Sequence, residues 1–193
     1  LNINLGTLNE STISAMLLAG KKSNEMGHPV LLDPVGVGAS VLRTETAYKL
    51  LDEVKFTVIR GNISEIKTLF FGRGTTKGVD ADAADVVTEE TLDYAVNLAK
   101  EFAKKMDAII VITGAIDIVA DKNKAYAIRN GHPMMAKITG TGCMLSAMMT
   151  AYAVASPADI LSAVVASVCA MGICGEIAYD RMTPQDGNAS YRN

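Results

Sequence analysis

The string Thr139-Gly140-Thr141-Gly142-Cys143 stands immediately before a long apolar run. Two glycines let the backbone approach a ligand closely. The run that follows reads as a helix whose first-turn N–H groups and dipole would face the loop. That combination is an anion hole, suited to the charge on a transferring phosphoryl group. An ordinary glycine-rich turn into a core helix fits the string equally well. It is neither a Walker A loop, since no Gly-Lys-Ser/Thr follows, nor G-x-G-x-x-G. Cys143 closes the string at a helix N-terminus, where a thiol is more thiolate-like than a free cysteine; the other reading is a small apolar residue filling the first turn.

Three further positions suit the same chemistry. Asn62 and Glu65 place an amide and a carboxylate three residues apart at a helix start, where they could organise Mg²⁺ through its retained waters. Helix capping by Asn62 or Ser64 accounts for the same pattern. Arg60, just upstream, suits bidentate contact with a phosphate, or a surface salt bridge. Asp33 follows the apolar run Val30-Leu31-Leu32 and precedes Pro34, which predicts a carboxylate at the edge of a cleft: a metal, substrate or phosphate-site residue, or a turn-former. Cys169 and Cys174 lie within an apolar run and are read as packing, and His28 and His132, each before a proline, are given no catalytic role.

The elements that would carry these residues alternate between strand-like and helix-like runs. Strands are predicted at 1–5, 29–33, 56–62 and 108–113. A hairpin is predicted from 116–120 and 125–128, turning at Asp121-Lys122-Asn123-Lys124. Helices are predicted from a cap at Ser11 or Thr12 to Glu25, from Thr44 to Glu53, from Ser64 onward, and from Thr88 to Lys105. Two more cover 142–155 and 157–180. Continuous apolar strands separated by helices imply an α/β fold, a mostly parallel sheet covered on both faces. In such sheets ligands bind beyond the carboxyl ends of the strands, where Asp33, Arg60-Gly61-Asn62, Thr113-Gly114 and the 139–143 loop all fall.

Composition narrows the partners. The chain has 18 Lys+Arg against 21 Asp+Glu and no basic block, which argues against nucleic acid and an anionic membrane surface. The most membrane-like stretch, Ile160 to Gly175, is read as a buried core helix too short to span. Three cysteines without C-x-x-C spacing fit neither a disulfide framework nor zinc, so a reducing cytoplasm is expected. Leu1 opens directly on a strand pattern and Asn193 closely follows a turn-rich run, so the single domain 1–193 is expected to be incomplete at both ends.

Taken in order, Asn4-Leu5-Gly6-Thr7-Leu8, Leu32-Asp33-Pro34-Val35-Gly36-Val37-Gly38-Ala39, Arg60-Gly61-Asn62-Ile63-Ser64-Glu65-Ile66, Lys77-Gly78-Val79-Asp80, Ile112-Thr113-Gly114 and Lys137 to Cys143 resemble the hydroxyethylthiazole kinases of the ribokinase-like superfamily. The resemblance implies Mg²⁺-dependent transfer of the γ-phosphoryl group of ATP to the hydroxyl of 4-methyl-5-(2-hydroxyethyl)thiazole. It implies ATP contacts at Arg60, Thr113 and Gly114, and metal and phosphate ordering by Asn62 and Glu65 with Asp33. Gly140 would contact the thiazole with Asp33, and Gly140 to Gly142 would form the anion hole. Cys143 would stand where many relatives carry an Asp base. A homotrimer with sites between subunits is also implied. The alternatives are another ribokinase-like enzyme, such as a pyrimidine kinase or a nucleotide-dependent repair dehydratase, and a non-catalytic nucleotide-binding or oligomerisation module. A cysteine hydrolase has no His-based activation pattern to support it.

Overall fold

Strand residues alternate their side chains between the two faces of a sheet, and the run Ile109-Ile110-Val111-Ile112 uses both. The computed structural model describes residues 1–72 and 86–192. The string Lys77 to Asp80 lies outside the described residues. The sheet has strands in sequential order: β1 (Asn2–Asn4), β2 (Leu31–Asp33), β3 (Val58–Asn62), β4 (Ile109–Thr113), β5 (Asp117–Ala120) and β6 (Ala125–Ile128). The first four are parallel, and β5 and β6 add antiparallel at the edge, so the sheet is mostly parallel as expected.

Helices α1 (Glu10–Glu25), α2 (Val41–Glu53), α3 (Ile63–Phe71) and α4 (Leu92–Met106) lie between the strands in the chain. Side chains of α2, α3 and α4 form one core with Leu32, Ile59, Ile110 and Ile112, and α1 adds Met16 and Leu17 at its edge. A short 3₁₀ turn (Pro133–Lys137) leads to α5 (Thr141–Ala155), α6 (Ile160–Asp180) and α7 (Asn188–Arg192). Leu145, Met149, Val164 and Val168 of α5 and α6 cover the opposite face, over Leu31, Val58, Val111 and Val119. The α4 stripe Ala95, Leu98, Ala99, Phe102 and Ala103 shows how sequence dictates this: i, i+3, i+4, i+7 and i+8 fall on one face and are buried.

Several helix starts differ from the sequence reading; in α1 and α2 the capping side chain lies further upstream, whereas α4 and α6 begin later. Asn9, not Ser11 or Thr12, caps α1, and Thr12 returns the bond to the Asn9 N–H. Ser40, not Thr44, caps α2; Thr44 instead accepts the Gly38 N–H. Thr88 and Thr91 close a turn before α4 begins at Leu92. Of the apolar helices, α5 begins at Thr141 and α6 at Ile160, capped by Asp159. The α6 helix runs 21 residues and is, among the described residues, the one helix long and apolar enough to cross a membrane. The shorter reading of that stretch is therefore corrected; one side of α6 packs on the sheet, and Ile173 and Ile177 lie exposed on another. Cys174 is exposed as well, so only Cys169, half-buried, packs as expected. The turn-rich tail folds back as α7, where buried Tyr191 donates to the Gly175 carbonyl at 2.9 Å.

Phe102 is fully buried where α4 meets the sheet and stacks edge-on against Phe70. Phe102→Ala should lower unfolding free energy by about 3–5 kcal/mol, read as a fall in the urea midpoint with an unchanged slope.

Candidate active site

The parallel strands end on one edge, and each presents a polar side chain there: Asn4, Asp33, Asn62 and Thr113. Asp33 does not lie at a cleft edge as the sequence suggested. It is fully buried, 0% exposed. The parallel register places Asn4 beside it, and Asn4 Nδ2 donates to Asp33 Oδ2 at 2.9 Å. Ser146 of α5 donates to the same oxygen at 2.8 Å, and Arg60 Nη1 lies 3.6 Å from Oδ1. A buried carboxylate demands such partners, since an unpaired charge away from water is expensive.

Arg60 is therefore no surface salt bridge; its side chain is 12% exposed. Nη2 donates to Thr113 Oγ1 at 2.7 Å, across the β3–β4 pair. Held at both ends, the guanidinium rests on Gly142: a Cβ added there would lie 2.7 Å from both Nη1 and Nη2. Gly140 has φ +95° and caps α5 with no side-chain hydrogen bond, and the space beside its Cα is open. The first turn of α5 thus presents N–H groups without a side-chain acceptor, next to a fixed guanidinium. Both favour an anion.

Asn62 and Glu65 form the capping arrangement. Asn62 Oδ1 accepts the Glu65 N–H and Glu65 Oε2 accepts the Asn62 N–H, each at 2.8 Å. Glu65 Oε1 also accepts the Gly36 N–H at 2.9 Å, tying the loop after β2 to the start of α3. Cys143 is exposed and receives a hydrogen bond from Asn4 Nδ2 at 3.2 Å. The Gly114 N–H is committed to Asp117 Oδ1 at 2.9 Å.

A cavity of about 570 Å³ opens beside this cluster, lined among others by Arg60, Thr113, Gly114, Asp117, Asn130 and Gly142. It brings Arg60, Thr113, Gly114 and Gly142 together, while Asn62, Glu65, Gly140, Cys143 and the buried Asp33 are not among its lining residues. Sequence reasoning missed Asp117, Asn130 and the wall made by His132, which stacks on Tyr179 with ring centroids 3.6 Å apart. Asp117 had one signal, an acidic residue three positions after Gly114 in an apolar run. Burial pushes its carboxyl up to about 6, against the opposing Gly114 N–H and Arg60 charge.

Comparison with known proteins fixes the class first. A ribokinase-like superfamily protein from Enterococcus faecalis V583, 12% identical, superposes with a TM-score of 0.66 over 99% of this chain and 60% of its own. The architecture is therefore the ribokinase-like α/β fold. The model of the hydroxyethylthiazole kinase family matches residues 1–192. A hydroxyethylthiazole kinase of Clostridium acetobutylicum is 66% identical over all 193 residues, which span 71% of its length. The solved hydroxyethylthiazole kinase of Pyrococcus horikoshii OT3 is 30% identical, with a TM-score of 0.82 over 98% of this chain and 68% of its own. The chain belongs to the hydroxyethylthiazole kinase family.

Asp117 generates a pH signature. Its folded-state value, about 6 against an ordinary 3.8, means the folded chain holds the proton through that interval, so native stability falls as pH rises across it. Asp117→Asn keeps the acceptor for Gly114 and removes the titration. Its stability relative to the native chain should rise by about 2–3 kcal/mol between pH 4 and pH 7 in urea unfolding, and a constant difference would refute the assignment.

Proposed function

We propose that this chain transfers the γ-phosphoryl group of ATP to the hydroxyl of 4-methyl-5-(2-hydroxyethyl)thiazole, a step of thiamine biosynthesis and salvage. The observation that carries this reading is the Arg60 guanidinium seated on Gly142 at the uncapped start of α5. The family match supports the choice of acceptor alcohol. Phosphoryl transfer asks for positioning and charge stabilisation more than for covalent chemistry, and a fixed cation beside free backbone N–H groups supplies both.

In this reading the nucleotide occupies the cavity beside Thr113, with its terminal phosphates against Arg60 and the first turn of α5. Thr113 and Asp33 act through Arg60, and Gly142 admits the guanidinium. Gly114, its N–H already engaged by Asp117, lines the same cavity and borders the nucleotide. Gly140, with open space beside it, faces the thiazole alcohol, and Cys143 stands at the same helix end. Asp33, being buried, supports both sides without touching metal or substrate.

Among the described residues no three His, Cys, Asp or Glu side chains gather into a metal cage. Glu65 and Asn62 already accept backbone N–H groups, and each Glu65 oxygen keeps a second lone pair for water. They fit a Mg²⁺ carried mainly by the nucleotide phosphates, with the protein reaching it through water. Bound there, the ion would neutralise phosphate charge. The same reading takes the chain as a single kinase domain working in the cytoplasm as a homotrimer with sites between subunits. Exposed Met144, Tyr152, Val154, Ile173 and Ile177 on α5 and α6 support a covered helical face.

The test is ATP- and Mg²⁺-dependent phosphorylation of hydroxyethylthiazole, with phosphorylated thiazole measured directly. Cys143→Ala should lower kcat by about tenfold, since a loose transition state needs little early proton removal. A thousandfold loss with intact substrate affinity would instead make the thiol an essential base. Gly142→Ala should lower the melting temperature and raise KM for ATP about tenfold, because its Cβ would displace Arg60 from the buried Asp33.

A further inference from the structure

Asn4 ends β1 with its side chain fully committed. Oδ1 accepts the Gly6 N–H at 2.8 Å, while Nδ2 donates to Asp33 Oδ2 at 2.9 Å and to Cys143 Sγ at 3.2 Å. The Gly6 bond fixes which way the amide faces, so its two N–H groups must point at the carboxylate and the sulfur. Asp33 is a rigid anchor, buried and held by Ser146 and Arg60. One carboxylate therefore locates two groups at the start of α5: the guanidinium directly over Gly142, and the sulfur of the next residue through the Asn4 amide.

We propose that Asn4 is a positioning residue for phosphoryl transfer, holding the Cys143 sulfur in fixed relation to Arg60 through their common anchor, Asp33. The proposal rests on the kinase reading above for its consequence in turnover, but the Asn4–Cys143 tie stands on the hydrogen bonds alone. Asn4 moves no proton and forms no covalent bond. Its N–H bond to sulfur is strongest when the sulfur is anionic, as hydrogen bonds to charged acceptors are.

Two substitutions test it. Asn4→Leu keeps the branched shape of the side chain and removes all three bonds. Asn4→Ser leaves a hydroxyl that can still serve Gly6 or Asp33 but has no second donor for Cys143, and so guards against a loss of folding. Each should lower kcat about threefold to tenfold with KM for ATP unchanged, because the nucleotide cavity does not include Asn4. In a Cys143→Ala background the same substitutions should change kcat by less than about twofold, the non-additivity expected of residues acting as one unit. A purely structural role for Asn4 would cost the same in both backgrounds and overturn the proposal. No loss in either would do so too.

A second readout needs no turnover. Alkylation by chloroacetamide at fixed pH, followed by peptide mass, compares Cys143 with exposed Cys174 in the same chain. Asn4→Ser should slow Cys143 relative to Cys174 by about threefold or more, as the sulfur anion loses its donor. An unchanged ratio would overturn the tie. If the native chain fails to phosphorylate the thiazole alcohol, the kinase reading falls and the alkylation ratio alone decides the role of Asn4.

Discussion

The buried Asp33 carboxylate is the constraint on which the site depends. A charge with no exposed surface must be matched by donors on neighbouring elements, and here β1 supplies Asn4, β3 supplies Arg60 and α5 supplies Ser146. Removing any one would leave a charge in a low-dielectric place with one partner fewer. Two strands of the sheet and a helix packed on one of its faces are thereby drawn to one point at its carboxyl edge. The same demand that stabilises the fold there also aims the chemistry.

Arg60 shows how that aim is achieved. A long, flexible arginine would normally sample many rotamers, but Asp33 and Thr113 hold it at separate guanidinium nitrogens. Its remaining direction is over Gly142, where the absence of a side chain is a steric necessity. The start of α5 has no side-chain cap, in contrast to α1, α2, α3 and α6, which each have one. A helix end left without a side-chain cap beside a fixed cation is an environment that favours an anion. Glu65 does comparable work on the neighbouring loop, since its two oxygens bind Gly36 and Asn62 and keep the ends of β2 and β3 in register.

Much of this was legible in the linear chain wherever the signal was local. Apolar runs marked the strands and the sheet's mostly parallel character, and the α4 stripe marked its buried face. The strings at 60–65 and 139–143 marked the loop and helix starts at the carboxyl edge of the sheet, because glycine, arginine and capping residues act over a few positions. Caps were read less well. Asn9 and Ser40 do the capping where nearby Thr and Ser looked equally able, and only the backbone conformation separates them. The tail helix α7 was missed because five residues carry no periodicity, and Tyr191 is fixed by α6 rather than by its neighbours in sequence.

By itself the sequence determined the fold class, the order of the elements and the glycine loop that leads into α5, all properties set by periodicity and by residues adjacent in the chain. Tertiary structure decided the rest. Asp33 followed by Pro34 reads as an edge residue, yet α5 closes over it, 113 residues away in the chain, through Ser146. Asn4 reads as the end of a short strand until the parallel register sets it beside Asp33 and the fold brings Cys143 within 3.2 Å. Asp117 acquires its raised pKa only when the cavity wall buries it. Burial and long-range hydrogen bonding depend on which distant segments meet, and no local pattern encodes that meeting.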